Sequence, residues 1–140
     1  GFGFIGSFVL IAIYLLLLGA ILALERGDLP APLIVDSFLL RALAIAGYGA
    51  ATLECAECGS AEVRWFSPQG GGAVCALCRT PGSAQLDVDD SSHLGALLAG
   101  DWERALATQR NVATRVDGMV VAYATWHLDR ALRSLSYFER

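Results

Sequence analysis

Residues 55–78 read CAECGSAEVRWFSPQGGGAVCALC, and they contain all four cysteines of this 140-residue chain. The cysteines form two Cys-x2-Cys pairs, separated by sixteen residues. Two residues between paired thiolates let one tight turn of backbone present both sulfurs to a tetrahedral metal ion, and Gly59 suits a backbone that must turn back beneath the metal. The pattern therefore predicts a zinc site with the ligands Cys55, Cys58, Cys75 and Cys78.

Four protein ligands fill a tetrahedron, so we expect this zinc ion to be structural and to lack an open position for activating water. Two disulfides, or a thioredoxin-like redox pair, remain as alternatives for the same four thiols. Paired Cys-x2-Cys spacing is much more typical of metal sites than of either alternative.

The segment that contains the cysteines differs in composition from the rest of the chain, because Gly, Pro and Ser are frequent from Gly47 to about Ser91. Two short runs, 63–66 and 73–74, flank the turn residues 68–72 and predict a small hairpin. The acidic stretch QLDVDDSS, residues 85–92, is typical of a solvated linker. We therefore expect residues 48–90 to form a zinc-ribbon-like insertion followed by an acidic linker.

On the N-terminal side, residues 1–24 form one unbroken apolar run. At ~1.5 Å per helical residue such a run spans about 36 Å, enough to cross a bilayer core of roughly 30 Å. It lacks the basic flank that orients a membrane segment, since Glu25, Arg26 and Asp28 follow it. We expect a helix over about 7–25, as the core helix of a helical domain or, alternatively, as a membrane span.

A second helix is predicted in LIVDSFLLRALAIA, residues 33–46. Pro32 suits its first helical position and Gly47 the position just past its end. Its apolar residues fall on one wide stripe, so it should be mainly buried. Residues 1–47 are thus expected to form an N-terminal helical part.

The C-terminal part, residues 91–140, is predicted to be helical throughout. Ser91 or Ser92 caps a short helix that Gly100 closes, and Asp101 caps the next one. From Asn111 a long helix follows, with apolar positions three and four residues apart. These positions are Val112, Val116, Met119, Val120, Tyr123, His127, Ala131, Leu132 and Leu135. The fold class is therefore mainly α: a helical domain with an inserted small β-hairpin four-cysteine zinc module.

Composition excludes several classes of protein. With 55% hydrophobic and 17% charged residues, the chain is neither disordered nor collagen-like, and it is shorter than the ~250 residues typical of a barrel enzyme. No serine-hydrolase, phosphate-loop or zinc-protease motif occurs. His93 and His127 lie on different predicted helices, and His127 is typical of a core histidine. We expect no enzymatic activity.

The net charge of −4 gives no sign of nucleic-acid binding, yet residues 104–140 carry six arginines against three acidic residues. On the long helix one face combines guanidinium groups with aromatic rings, which is the composition of a single-strand surface. A solvated or packing face with arginine stems across aromatics is the alternative. The predicted DNA-binding residues of this arginine–aromatic stripe are Arg115, Trp126, Arg130, Arg133 and Tyr137, with Met119 and Ala122 between them.

Three stretches together carry a resemblance to a known family. They are FLLRALAIAGYGA at 38–50, CAECG with WFSPQGGGAVCALC within 55–78, and WHLDRALRSL at 126–135. In order and spacing they resemble the RecO family of bacterial recombination mediators, over about residues 15–140. Residues 1–13 do not share the resemblance.

The resemblance implies a non-catalytic, cytoplasmic protein of DNA repair and homologous recombination. RecO proteins have an N-terminal OB-fold, a helical domain and, in many members, a four-cysteine zinc module, and this chain would correspond to the helical and zinc portions. They bind single- and double-stranded DNA and work with RecR and the single-stranded-DNA-binding protein to load RecA. The four cysteines take the zinc-ligand places by this resemblance.

Two other functions stay open from the residues alone. One is a membrane-anchored zinc-ribbon protein that spans the bilayer with residues 1–24. The other is a protein-interaction module without DNA contact. Because Gly1 is not a translational start, we also expect further residues before it.

Overall fold

The computed structural model describes the backbone of residues 2–138 and the side chains of residues 6–134. Within that range the chain forms five helices and a three-stranded sheet. The elements are α1 (Phe2–Arg26), α2 (Ala31–Ile45), β1 (Trp65–Ser67), β2 (Gly72–Val74), β3 (Ala84–Gln85), α3 (Val88–Ala99), α4 (Trp102–Ala107) and α5 (Arg110–Phe138). The predicted class, mainly α with a small inserted β module, is confirmed.

Helix α1 differs from the core helix that its apolar sequence favoured. Among its described residues only Ala23 is buried, whereas Leu10 is 70% and Leu15 61% exposed. Its main contact is with α2, so most of its surface has no cover within the described chain. By length and composition alone, Gly6–Arg26 is long enough and apolar enough to cross a membrane.

Helix α2 forms where the sequence predicts it and begins at Ala31, one residue before the predicted first helical position. Pro30 precedes its first turn, and the backbone N–H of Leu33 donates to the Pro30 carbonyl at 3.1 Å. Its stripe of Leu33, Ile34, Leu40 and Leu43 is buried. The same face also buries Asp36, a polar residue within an otherwise apolar stripe.

The zinc-module segment contains the predicted hairpin and one unpredicted strand. In the order β2-β1-β3, both pairings are antiparallel, with Phe66 opposite Ala73 on one side and Ala84 on the other. Gly72 has φ +115°, and a Cβ at this position would lie 2.6 Å from the Ala51 carbonyl oxygen, so only glycine lets these backbones meet. The three-residue strands depend on their surroundings for stability.

The acidic stretch 85–92 is not the solvated linker that its composition predicted. Helix α3 already begins at Val88, preceded by Asp87, and not at Ser91 or Ser92. Asp90 is completely buried and its Oδ2 accepts the backbone N–H of Asp87 at 2.9 Å. The stretch is therefore a helix start. Gly100 closes α3 and Asp101 caps α4, as predicted.

One core joins α2, α3 and α5 to the zinc module. From α5 it takes Val112, Val116, Met119, Val120 and Tyr123, which confirms the predicted apolar face over this part of the helix. Further along α5, Leu132 is 65% exposed, so the apolar pattern of the sequence extends beyond the buried part of the helix. Phe66 of β1, at 1% exposure, is the module's largest contribution to this core.

Candidate metal centre and nucleic-acid interface

The four cysteines lie on two backbone turns that the sheet brings side by side. In the first turn, the N–H of Gly59 donates to the Cys55 carbonyl at 2.9 Å, with φ +78° at the glycine. In the second, the N–H of Cys78 donates to the Cys75 carbonyl at 3.2 Å. The N–H of Ala56 donates to the Ala73 carbonyl at 2.9 Å, which ties the first turn to strand β2 and hence to the second turn.

The sulfur positions fit a tetrahedral ion. All four Sγ atoms lie within 4.8 Å of one another, and those of Cys58 and Cys75 are 3.7 Å apart. A metal–sulfur bond of ~2.3 Å in a tetrahedron places neighbouring sulfurs about 3.8 Å apart. Each of the four thiols is unlinked. The four cysteines are therefore close enough to bind one metal ion.

The thiols influence each other's protonation because they are crowded. Desolvation raises the pKa of Cys55, but N–H groups at Cys58, Cys75 and Glu57 outweigh it and lower this pKa to about 6. The neighbouring thiols raise the pKa of Cys78 to about 12. Four thiolates this close together repel one another, and a divalent ion would supply the positive charge that offsets this repulsion.

The module is fixed to α5 by contacts on the sheet side away from the cysteines. The rings of Phe66 and Tyr123 lie 6.0 Å apart, and the Tyr123 hydroxyl donates to the Tyr48 carbonyl at 2.7 Å. His127 contacts the Tyr123 ring at 4.2 Å and its Nε2 lies 3.1 Å from the Pro68 carbonyl. Burial lowers the pKa of His127, so the neutral ring donates this bond. The half-buried His127 is a satisfied structural residue, as its position in the sequence indicated.

Within the predicted stripe, Arg115 already has a protein partner. Its Nη2 and Nε donate to the Asp90 carboxylate at 2.7 and 3.0 Å, and Asp87 lies 3.7 Å away. Sequence reasoning missed Asp90. The signal was available, because an acidic residue three positions after Asp87 is typical of a helix start.

Three of the predicted DNA-binding residues, Trp126, Arg130 and Arg133, are exposed. Trp126 is 36% exposed. Arg133 pairs with Asp129 at 3.2 Å along the helix, whereas Arg130 has no ion pair within the described residues. Met119 is buried and separates Arg115 from the rest. The side chain of Tyr137 lies outside the described residues, so its place in the stripe stays a prediction.

A groove runs between the stripe and the zinc module. It consists of two cavities of about 510 and 300 Å³, which share Pro68, Gly82 and Ala122 in their linings. Trp126 and Asp129 line the larger cavity, and Arg115 and Met119 the smaller one. The structure thus brings part of the predicted DNA-binding face beside the four-cysteine module.

Comparison of the sequence with known protein families finds a match, which covers most of the chain. The family model described as Recombination protein O C terminal matches residues 11–136, which include both cysteine pairs and the stripe as far as Arg133. The chain belongs to this RecO C-terminal family. The resemblance seen in the three sequence stretches is thereby confirmed.

Curated relatives of the family support the same assignment. The chain is 46% identical over 128 residues to the DNA repair protein RecO of Streptomyces avermitilis, covering 91% of this chain and 52% of that protein. It is 41% identical over 131 residues to the protein of the same name from Nocardioides sp., covering 91% and 54%. The chain therefore spans about half the length of these relatives. No solved structure matches it.

Proposed function

We propose that this chain is the helical and zinc-module portion of a DNA repair and homologous recombination mediator that acts without catalysis. The observation that carries the proposal is the family match over residues 11–136, which spans α2, the cysteine turns and most of α5. The relatives are named as DNA repair proteins. In this function the chain is a scaffold whose surfaces hold DNA and protein partners.

The metal in this proposal is Zn²⁺, held by Cys55, Cys58, Cys75 and Cys78. Four thiolates at tetrahedral spacing are the donor set that zinc takes in structural sites, and no coordination position remains for water chemistry. The ion would fix the two turns behind the β1–β2 hairpin. The opposite side of the sheet then presents Phe66 and Pro68 to α5 as one wall of the groove.

The DNA surface in this proposal is the outer part of the stripe. The exposed ring of Trp126 offers a face on which an unpaired base stacks, and Arg130 offers a guanidinium group with no protein partner in the described chain. Arg133 can exchange its exposed pairing with Asp129 for a phosphate, because such surface pairs contribute little to stability. Arg115 contributes less, since Asp90 already holds two of its nitrogens.

The protein partners follow from the family. We propose that the complete protein binds single- and double-stranded DNA in the cytoplasm and works with RecR and the single-stranded-DNA-binding protein, so that RecA is loaded onto the strand. The net charge of −4 implies that this portion alone binds DNA weakly. Binding of these protein partners can then be measured as a second property of the same function, besides DNA binding.

The test is the salt dependence of single-stranded DNA binding by the zinc-loaded protein. With ~2 to 4 phosphate contacts, log affinity should fall with log salt concentration at about −0.7 per contact. The double variant Arg130→Ala/Arg133→Ala should flatten that slope by about 1.4. Trp126→Ala should weaken binding by ~1 to 3 kcal/mol without changing the slope.

A matched control is Arg26→Ala, which removes an exposed arginine at the end of α1, far along the chain from the stripe. Its slope should equal that of the unmodified protein. Equal slopes for the double variant and the control would remove the stripe from the DNA site. Carbonate-resistant recovery in a membrane pellet would contradict the cytoplasmic placement.

A further inference from the structure

A pocket separate from the metal centre and the groove opens between α2, α4 and α5. We call it the α2–α5 pocket; its volume is about 510 Å³. Its polar lining consists of Asp36, Asp117, Arg110, Thr108 and Thr114. The remaining walls are apolar and come from Pro30, Pro32, Leu33, Ala105, Leu106 and Ala113.

Asp36 is the unusual residue of this pocket. It is only 2% exposed, and its Oδ1 has no hydrogen-bond partner. A buried acceptor without a partner costs free energy, so such an atom in a native fold calls for an explanation. Asp36 is also a lining residue of the pocket, so a donor group bound there lies beside this side chain.

Within the part of the chain that the structure describes, the hydrogen-bonding neighbour of this carboxyl is another carboxyl. Asp117 of α5 is the hydrogen-bonding neighbour of Asp36. Arg110 also lines the pocket, but it forms no ion pair within 4.0 Å with either aspartate in the described chain. Two acidic groups therefore converge in a half-apolar pocket, and no cation from the described residues pairs with them.

The walls select the kind of cation. A magnesium ion keeps several of its own water molecules when it binds through one or two carboxylates, and the side chains of proline, leucine and alanine are poor neighbours for that water shell. A guanidinium group donates several N–H bonds in one plane, which suits two neighbouring carboxylates, and its methylene stem packs well on apolar walls. We propose that the α2–α5 pocket binds a guanidinium cation on an aliphatic stem, paired with Asp36 and Asp117.

Binding of this cation is coupled to proton release. Burial, together with the neighbouring Asp117, raises the pKa of Asp36 to about 8, so at neutral pH Asp36 keeps a proton that it donates to Asp117. The cation stabilises the ionised pair, and the proton leaves to solvent. The other charged or titratable group on the lining is Arg110. From α4 the lining takes the apolar residues Ala105 and Leu106. His93 of α3 is not a lining residue, but its Nδ1 lies 2.8 Å from the hydroxyl of the lining residue Thr108.

Two sources of this cation can be distinguished: a free guanidine, or an arginine side chain of a partner protein. The probes are 1-butylguanidine for the first and N-acetyl-arginine amide for the second, each with one positive charge, and N-acetyl-citrulline amide is the uncharged match. Titrated into the zinc-loaded protein, at least one of the two cations should raise the Tm by several degrees at saturation, and citrulline amide should not. The tighter of the two cations identifies the source.

The affinity should rise about tenfold per pH unit between pH 6 and 7.5, as expected when one proton is released on binding. Asp36→Asn and Asp117→Asn should each abolish the Tm shift, whereas Glu62→Gln, which removes an exposed acid of the zinc module, should leave it unchanged. The variants' own Tm without ligand shows whether each is folded. No shift with either cation, or an equal shift with citrulline amide or with Mg²⁺ alone, overturns the proposal.

Discussion

Arg115 of α5 forms a bidentate salt bridge with the buried carboxylate of Asp90 at the start of α3. Nη2 lies 2.7 Å from Oδ1 and Nε 3.2 Å from Oδ2. Asp90 is completely shielded from solvent, whereas the Arg115 side chain is 42% exposed. A charge in such a place requires a partner, because an ionised carboxylate buried alone is very unfavourable. The pair therefore fixes the beginning of α3 against α5.

Replacing Arg115 by alanine should destabilise the fold, because Asp90 would lose its counter-charge while staying buried. We expect Arg115→Ala to lower the Tm by several degrees, measured by circular dichroism. Arg130→Ala, which removes an exposed arginine of the same helix, should leave the Tm within about one degree. If both variants melt together with the unmodified protein, the ion pair has no structural role.

The clustering of the four cysteines and the main helices could be predicted because their signals are local. Cys-x2-Cys spacing fixes which sulfurs can share an ion, and an apolar residue every three or four positions marks the buried face of α5. Gly100 and Asp101 end one helix and begin the next by backbone conformation and side-chain capping, which depend on neighbours in sequence.

The parts that could not be predicted depend on contacts distant in sequence. Asp90 read as part of a solvated acidic run because its partner, Arg115, lies 25 residues further on. Asp36 meets Asp117 across the interface of α2 and α5, and β3 forms only because β1 has a free edge beside it. The exposure of α1 likewise depends on which elements pack against it, and the apolar composition of the helix does not reveal those contacts.

Removing the metal should unfold the zinc module. Zinc binding in such sites contributes roughly 10 to 16 kcal/mol, comparable to the whole stability of a small domain, and three-residue strands cannot replace it. A chelator should therefore lower the Tm and open residues 52–82 to limited proteolysis. Cys58→Ser should reproduce both effects, whereas Leu77→Ala, a 96% exposed position between two ligands, should reproduce neither. An unchanged Tm after verified metal loss would contradict the structural role.

The contact between Phe66 and Tyr123 should couple the module to the helical body. Phe66→Ala removes a ring that is 1% exposed and should cost ~3 to 5 kcal/mol. Tyr123→Phe keeps the ring but removes the 2.7 Å bond to the Tyr48 carbonyl, so it should cost only ~0.5 to 1.5 kcal/mol. Urea unfolding with zinc bound measures both values. A loss for Phe66→Ala no larger than that for Tyr123→Phe would contradict the coupling through the Phe66 ring.

The buried aspartate of α2 should make stability fall as pH rises. The pKa of Asp36 is raised from 3.8 to about 8, mainly by burial and further by Asp117. Between these values the folded protein binds one proton more than the unfolded chain, so the free energy of unfolding decreases by roughly 1.4 kcal/mol per pH unit. The stabilising contribution is complete below the lower value and is lost as pH passes through the upper one.

Asp36→Asn should remove this dependence, because an amide keeps the shape of the side chain and does not ionise. Relative to the unmodified protein, its free energy of unfolding should rise by about 2 kcal/mol from pH 6.5 to pH 8. Taking the difference cancels the titration of His93, His127 and the cysteines, which both proteins share. Asp117→Asn should remove only part of the slope, since burial of Asp36 remains. Urea unfolding across this range measures the slopes, and parallel curves for Asp36→Asn and the unmodified protein would mean that Asp36 is already ionised in the fold.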